Sequence, residues 1–502
     1  MLKTECTTQM KLFEVGAQTV VVDFDGGHVV TDAGLLAIRQ LDLDLGVLSG
    51  AAALLPDPRA QTHITHTVEQ LLSRRVYQIL AGCFDGNDAA TLRRDALFQT
   101  LAGISPDPKQ QRPCGSTTNR FLNAFTRRDA GLPPEDRSVL DEVRQAHLRR
   151  ITQLNTYLID LYLRTRRSVP QRIIIDLDPT DDPTRGHQQL TFWHGFYDQY
   201  QYLPLLAFDG ESRMPLGAWL RPGTVGTGYS TVVDSLREIV LRVRQNWPDV
   251  PILVRGDHGI GGPEMYEFCD AERLLFAIGY AANPVLKRRT DTDLQRVEVC
   301  SWAYAQPKWR EFQVFDDYQA ESWSRPRRII AKLETTATGE TNRRFIVTNM
   351  PEDGRAVYED FYCQRGDVPE RPIGELKNGL GMDRLSSSRF LANAQKMQFH
   401  VLAYALWVLF REAHARGPEV AKLEVRTARA QLFKVGAIVH TSVRRILFQF
   451  SSTWPMQDTF RRACNAVAVF TAEVRAVADA LVAPPTSRRT ADPPVAEVAT
   501  LK

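Results

Sequence analysis

The 502-residue chain carries seven cysteines, Cys6, Cys83, Cys114, Cys269, Cys300, Cys363 and Cys464, none of them in a Cys-x-x-Cys pair. Scattered single thiols exclude the usual thiolate zinc cages and fit a reduced chain. Long apolar runs are also missing. No stretch reaches the ~18 uninterrupted apolar residues that suggest a membrane-spanning helix, and the opening MLKTECTTQMKLFEV lacks the apolar run of a signal peptide. The expectation is a soluble, cytoplasmic protein. Net charge is nearly absent, because 62 Lys and Arg against 59 Asp and Glu leave +3. Overall charge therefore names no polyanionic partner, and any such surface must be a local patch. What remains is globular in composition: 43% hydrophobic and 24% charged residues. At about 150 residues per domain, the length implies roughly three structural units.

Periodicity and turn signals divide the chain further. Segment 22–36 predicts a strand, a turn at Gly26-Gly27, a second short strand and a helix capped by Asp32. At 67–81, Val68, Leu71, Leu72, Val76, Ile79 and Leu80 share one helical face, with Arg74 and Arg75 away from it. The stretch 142–167 sets Arg144, Arg149, Arg150, Arg164, Arg166 and Arg167 outside its apolar stripe and is the strongest basic helix. Strand patterns follow at 171–178, 189–197 and 202–208. A helix at 230–246, the apolar run 251–257, a helix from Pro263 and the strand LLFAIGYAAN come next. That order predicts an α/β fold built on a mixed sheet flanked by helices. Residues 285–350 alternate β-type residues and read as an inserted β unit, 390–412 as a long buried helix, and the Pro-rich end as a disordered tail.

Chemistry concentrates at strand ends. In IIIDLD, Asp176 and Asp178 are two apart and point to the same face, and ILVRGD ends in Asp257 before a Gly-containing turn. Open α/β sheets place functional groups at such ends, although an Asp there is also an ordinary turn-former or cap. In FYCQRGDVPERPIGELKNGL at 361–380, Tyr362 and Arg365 are three apart, and Glu370 and Lys377 seven apart. Each pair would share a helical face, with Glu370 suited to a divalent metal and Arg365 and Lys377 to phosphate oxygens. By spacing alone, a surface helix laced with ion pairs accounts for the same residues. His63 and His66 lack a third ligand at usable spacing. Arg325, Arg327 and Arg328 form a local basic cluster, a candidate contact for a polyanion's phosphates, and Trp302, Trp309 and Trp323 are either packing residues or rings open to stacking.

Together these residues resemble the DDE transposases of bacterial insertion sequences, in the branch with a Y-x-x-R, then E, then K signature. The likeness extends to the family called thirteen-eighty through FDGGHVVTDAGLL, CFDGND, STTNRF, DLDPTDDPTRGHQQ, YLPLLAFDG, LRPGT, VRGDHGI and RGDVPE through GMDRLSSSRFLANA, in order from 24 to about 410. The resemblance implies an RNase H-like core interrupted by a β-rich insertion, with Asp178, Asp257 and Glu370 as catalytic and metal-binding acids. It also implies Mg²⁺ or Mn²⁺ as cofactor, two ions together, and double-stranded DNA as partner: the element's terminal inverted repeats and a target, engaged as a homodimer.

Asp178 is preferred to Asp176 because the family's acid precedes Thr by one residue, as in Asp178-Pro179-Thr180, leaving Asp176 to support it from behind. One departure stands out: four residues, Gly366 to Pro369, separate Arg365 from Glu370 where the family has three. That leaves Glu375 as the alternative acid. The implied organisation is a helical DNA-binding region at 1–165, a core at 166–284 and 351–412 split by the insertion at 285–350, a helical region at 413–483 and the tail 484–502. The implied function is cut-and-paste transposition by two-metal phosphoryl transfer. A transposon-derived DNA-binding protein without cleavage, or a metal nuclease without strand transfer, are the rival readings.

Overall fold

A computed structural model describes residues 9–482 apart from 56, 58–63, 107–114, 123–136, 196, 224–227, 307, 337, 367–369 and 416. The tail expected at 484–502 and His63 lie outside the described residues. The strands, in chain order, begin with β1 (Met10–Val15), β2 (Gln18–Val22), β3 (Val29–Val30), β4 (Ile173–Pro179), β5 (Asp182–Pro183), β6 (Phe192–His194), β7 (Gln199–Tyr202) and β8 (Leu205–Asp209). They continue with β9 (Pro215–Trp219), β10 (Ile252–Gly256), β11 (Leu275–Tyr280), β12 (Arg310–Tyr318), β13 (Arg327–Thr335), β14 (Thr341–Thr348), β15 (Ala437–Thr441) and β16 (Ile446–Phe450).

The central sheet has eight strands in the order β12-β13-β14-β11-β10-β4-β8-β9. Strands β4, β10 and β11 run parallel, with antiparallel strands on either side. Their near-continuous apolar runs follow from burial on both faces. On β4, Ile173, Ile175 and Leu177 enter the main core, while Ile174 joins a smaller cluster with Leu253, Ile330, Ile346, Tyr358 and Phe361. The large core is organised by the helix Phe390–Ala413, whose Phe399, Val401, Tyr404, Trp407 and Phe410 are fully buried. A helix apolar on most faces has to sit inside, and this one lies against the helices Val68–Ala81 and Arg137–Arg164.

The structure redraws several expectations. The third strand of the sheet on this side is β9, a short apolar run without alternation; the region 189–197 contributes only β6, which belongs to a separate three-stranded sheet β5-β7-β6. Residues 291–303, which alternate like a strand, form a helix whose buried residues Leu294 and Val297 are three apart, so one face packs at helical spacing. Strands β12, β13 and β14 of the 285–350 segment extend the central sheet. Asp32 precedes a 3₁₀ turn at Ala33–Leu35 and makes no side-chain cap bond to it.

The arginines depart most from the amphipathic pattern. Arg74 and Arg75 are buried in the capped helix Val68–Ala81. Arg75 donates to the carbonyls of Cys83, Phe84 and Asp85, which explains a cation inside an apolar region. On the basic helix, Arg164 donates to Leu45 O at 2.6 Å, and Arg166 and Arg167 pair with Glu412 and Glu473. That end of the basic face is joined to protein.

Glu375 is a buried junction. Its carboxylate accepts from Trp407 Nε1 at 3.1 Å, Arg411 Nη1 at 3.1 Å and the Val425 amide at 2.9 Å. Glu375→Ala leaves the Arg411 guanidinium buried and unpaired, and the expected loss is about 3–5 kcal/mol of stability. Denaturant unfolding against wild type measures it; a change under about 1 kcal/mol would show that the junction is not what holds these helices together.

Candidate active site

The period-two geometry of β4 that sends Ile175 and Leu177 into the main core turns Asp176 and Asp178 toward the opposite face. On the neighbouring strand β10, Leu253 and Arg255 share that face, and Asp257 follows two residues later. The register pairs Asp176 with Arg255. Arg255 Nε and Nη2 each donate at 2.7 Å to the two carboxylate oxygens of Asp176, and Nη1 donates at 2.8 Å to Phe361 O. Both side chains are buried. Burial pushes the Asp176 carboxyl up, against the pull of Arg255. Asp176 is thus a structural partner of Arg255, two residues behind Asp178.

Phe361 ends a widened π-type turn, Ala356–Phe361, that tightens into the 3₁₀ turn Tyr362–Gly366. Residues three apart eclipse in a 3₁₀ turn, so Arg365 lies 5.9 Å over the Tyr362 ring. Arg365 Nη2 donates at 2.8 Å to Asp178 Oδ1. A Cβ on Gly279 of β11 would meet His258 N at 2.8 Å and Tyr362 Oη at 2.9 Å, so only glycine lets β11 pass this close to the turn after Asp257. Asp257 Oδ1 accepts from the Gly259 amide at 2.9 Å.

These elements border a cleft of about 470 Å³ whose lining includes Asp257, Glu370, Tyr362, Arg365, Lys332 and Arg344. Asp178 sits behind Arg365. Burial pushes its carboxyl up to about 7, Arg365 opposes that, and the nearby Asp257 and Glu370 add to the rise. The three acids are therefore electrostatic neighbours, while Glu375 is engaged elsewhere. Lys377 Nζ is held by Asp181 Oδ1 at 2.7 Å, Asp181 O at 2.9 Å and Thr180 Oγ1 at 3.3 Å, tying its helical segment to the turn after β4.

As a donor set for a cation, three carboxylates without His or Cys suit a hard divalent ion such as Mg²⁺ or Mn²⁺, and a cation would relieve the repulsion that raises Asp178. The donors fit that chemistry, but they do not stand as a finished cage: among the described residues no three His, Cys, Asp or Glu side chains are grouped to hold an ion.

Arg325, Arg327 and Arg328, the candidate phosphate contacts, are each engaged within the protein. Arg325 and Arg327 both pair with Asp270 at 2.6 Å, and Arg328 donates to Met350 O at 2.9 Å. Arg325 and Arg327 fasten this region to the helix Pro263–Ala271, Arg328 ties β13 to the segment after β14, and none of the three lines the cleft. The cations that border the cleft from this region are Lys332, Arg343 and Arg344, of which Lys332 and Arg344 are cross-strand partners on β13 and β14. Lys332 pairs with Glu334, whereas Arg344 is exposed and has no ion-pair partner among the described residues. Arg343 and Arg344 stand side by side in 341–348 and both border the cleft, and what separates them is that Arg343 is paired with Asp291 at 2.8 Å. Of the three tryptophans, Trp323 is buried among Tyr266, Tyr280 and Tyr318, Trp309 stacks on Tyr304, and Trp302 is exposed.

Residues 13–471 match the family model described as Transposase DDE domain group 1, and the chain belongs to that family. Among solved structures it is similar to a piggyBac transposase in a synaptic complex with hairpin DNA, at 12% identity and a TM-score of 0.39, over 91% of this chain and 83% of that one. No curated protein matches it by sequence. Among the described residues no helix is long and apolar enough to cross a membrane.

Asp182, four residues beyond Asp178, is buried, and neither of its carboxylate oxygens has a hydrogen-bond partner among the described residues. Burial, with Asp383 adding to it, pushes the carboxyl up to about 8. A carboxyl raised on folding has no charge penalty below its unfolded value of about 3.9, and the cost to stability grows as pH rises toward 8. Asp182→Asn is therefore expected to gain melting temperature over wild type as pH rises from 5 to 8, with the gap narrowing in acid. Scanning calorimetry across that range checks it; a gap independent of pH would contradict a buried charge at this position.

Proposed function

We propose that the protein is a cut-and-paste DNA transposase of the insertion-sequence type, similar to the thirteen-eighty family, with an RNase H-like catalytic core. The observation carrying this reading is that Asp257 and Glu370 border one cleft with Asp178 electrostatically close to both and held by Arg365, from the ends of two adjacent parallel strands and a helical turn, in a chain of a DDE family. The order β9-β8-β4-β10-β11, an antiparallel meander beside parallel strands, supports the RNase H-like assignment.

Asp178, Asp257 and Glu370 would hold Mg²⁺ or Mn²⁺, two ions, which when bound supply an activated hydroxyl and neutralise charge on the leaving oxygen of a phosphodiester. The chain's own residues set the frame. Arg255 fixes the spacing of β4 and β10, so that Asp178 and Asp257 are presented side by side. Arg365, now on Asp178, is placed to exchange that carboxylate for a phosphate oxygen, since a guanidinium binds either with the same geometry. Arg344 takes a backbone phosphate at the opposite wall. Lys377 holds the turn after β4 through Asp181. The same site would first cut one strand at the element end and then present the freed 3′-OH to target DNA. The N-terminal helical region would read the terminal repeats, a homodimer would bring both ends together, and the reaction would take place in the cytoplasm on the nucleoid.

Asp257→Asn and Glu370→Gln are expected to abolish cleavage of the gene's flanking DNA with Mg²⁺ while retaining DNA binding and melting temperature, because neither side chain is buried in the core. Cleavage near the wild-type rate in either variant would remove that acid from the mechanism. Arg344→Ala is expected to weaken binding uniformly across sequences and to lower the slope of log affinity against log salt by about 1, the signature of one lost phosphate contact. An unchanged slope would place Arg344 off the DNA path.

A further inference from the structure

Between β4 and β8 the chain leaves the central sheet and builds the small sheet β5-β7-β6, which exposes several aromatic side chains in few residues. Trp193 is 53% exposed, Tyr200 57%, Tyr197 40% and Phe192 39%. Trp193 and Tyr200 are direct cross-strand partners on one face, with ring centroids 5.4 Å apart in an edge-to-face arrangement. Edge-to-face packing leaves ring surface outward, and large aromatics left in water together mark a binding surface.

The sheet is anchored beside the acids. Gln199 reaches Asp181, which Lys377 also holds, and Tyr197 lies within electrostatic reach of Asp181, Asp257 and Asp178. Arg185, on the loop that leads into β6, is exposed and has no ion-pair partner among the described residues. Exposed aromatics with an exposed cation on the loop into the same sheet, adjoining the candidate active site, are the elements that hold an unpaired strand: bases stack on rings while the cation takes backbone charge.

We infer that the β5-β7-β6 sheet is a stacking platform for unpaired bases of the DNA strand entering the cleft, with Trp193 and Tyr200 as the stacking pair and Arg185 as the phosphate contact. This rests on the transposase reading and adds where the strand is splayed. It assigns the stacking role to residues between β4 and β8, outside the 285–350 segment.

The test uses the full chain with a generic blunt duplex and the same duplex carrying a single-stranded oligothymidine overhang. A third probe has 2-aminopurine in the overhang, whose fluorescence stacking quenches. Wild type is expected to prefer the overhang duplex and to quench 2-aminopurine. Trp193→Ala with Tyr200→Ala should lower overhang affinity about tenfold, within the range for a lost base stack, and leave blunt-duplex affinity and melting temperature nearly unchanged. Trp193→Phe should keep most of the preference. If wild type binds both duplexes equally and leaves 2-aminopurine bright, the platform is wrong even if the protein cleaves its flanking DNA. An equal loss on both duplexes in the double variant also overturns it, because the residues would then belong to a general duplex surface. If wild type binds none of the probes and does not cleave its flanking DNA, the transposase reading fails as well.

Discussion

The site depends on one buried ion pair. Arg255 grips both oxygens of Asp176 across the β4–β10 junction and uses its remaining nitrogen on the Phe361 carbonyl. Three segments distant in sequence are thereby locked within a few residues of their functional groups: Asp178 two beyond Asp176, Asp257 two beyond Arg255, and the Tyr362–Arg365 turn directly after Phe361. A buried pair of this kind is weak evidence for net stability, since two desolvated charges cost about what they return. Its value is geometric. Removing either partner would strand a charge in the interior, so the register of the two strands and the approach of the third segment are held together or lost together.

The same economy governs the other charged groups. Several arginines satisfy carbonyls and carboxylates within the fold: Arg75 at the Cys83–Asp85 turn and Arg166 on Glu412, both set off the apolar face by the sequence pattern, together with Arg327 on Asp270 and Arg411 on Glu375. A guanidinium offers five donors in a plane and can close several loose ends at once. Arg344 and Arg185 are among the exposed cations that have no ion-pair partner among the described residues.

Asp178 and Arg365 illustrate how the site is poised. Burial and the surrounding acids raise Asp178, and Arg365 is the counter-charge that makes the arrangement tolerable. A carboxylate held by an arginine and surrounded by other carboxylates is an arrangement that incoming cations and phosphate can rearrange without leaving a bare charge.

The sequence by itself determined the period-two placement of Asp176 and Asp178, the apolar β4 and β10 that make a sheet buried on both faces, the buried helix at 390–412, and the ordered motifs that mark a DDE transposase. These are local facts: strand alternation and apolar runs are written in adjacent residues. Only tertiary structure decided which acids and cations meet. Glu370 and Glu375 are indistinguishable as glutamates in one short segment until Trp407, Arg411 and Val425 claim Glu375. Arg325, Arg327 and Arg328 look as free as Arg344 until Asp270 and Met350 engage them. Residues 291–303 mix apolar and charged residues in a way that satisfies either period, and β9 is too short and uniformly apolar to show one, so long-range packing and pairing decide both. Charge pairing across hundreds of residues leaves no periodic trace, which is why it had to be seen in the fold.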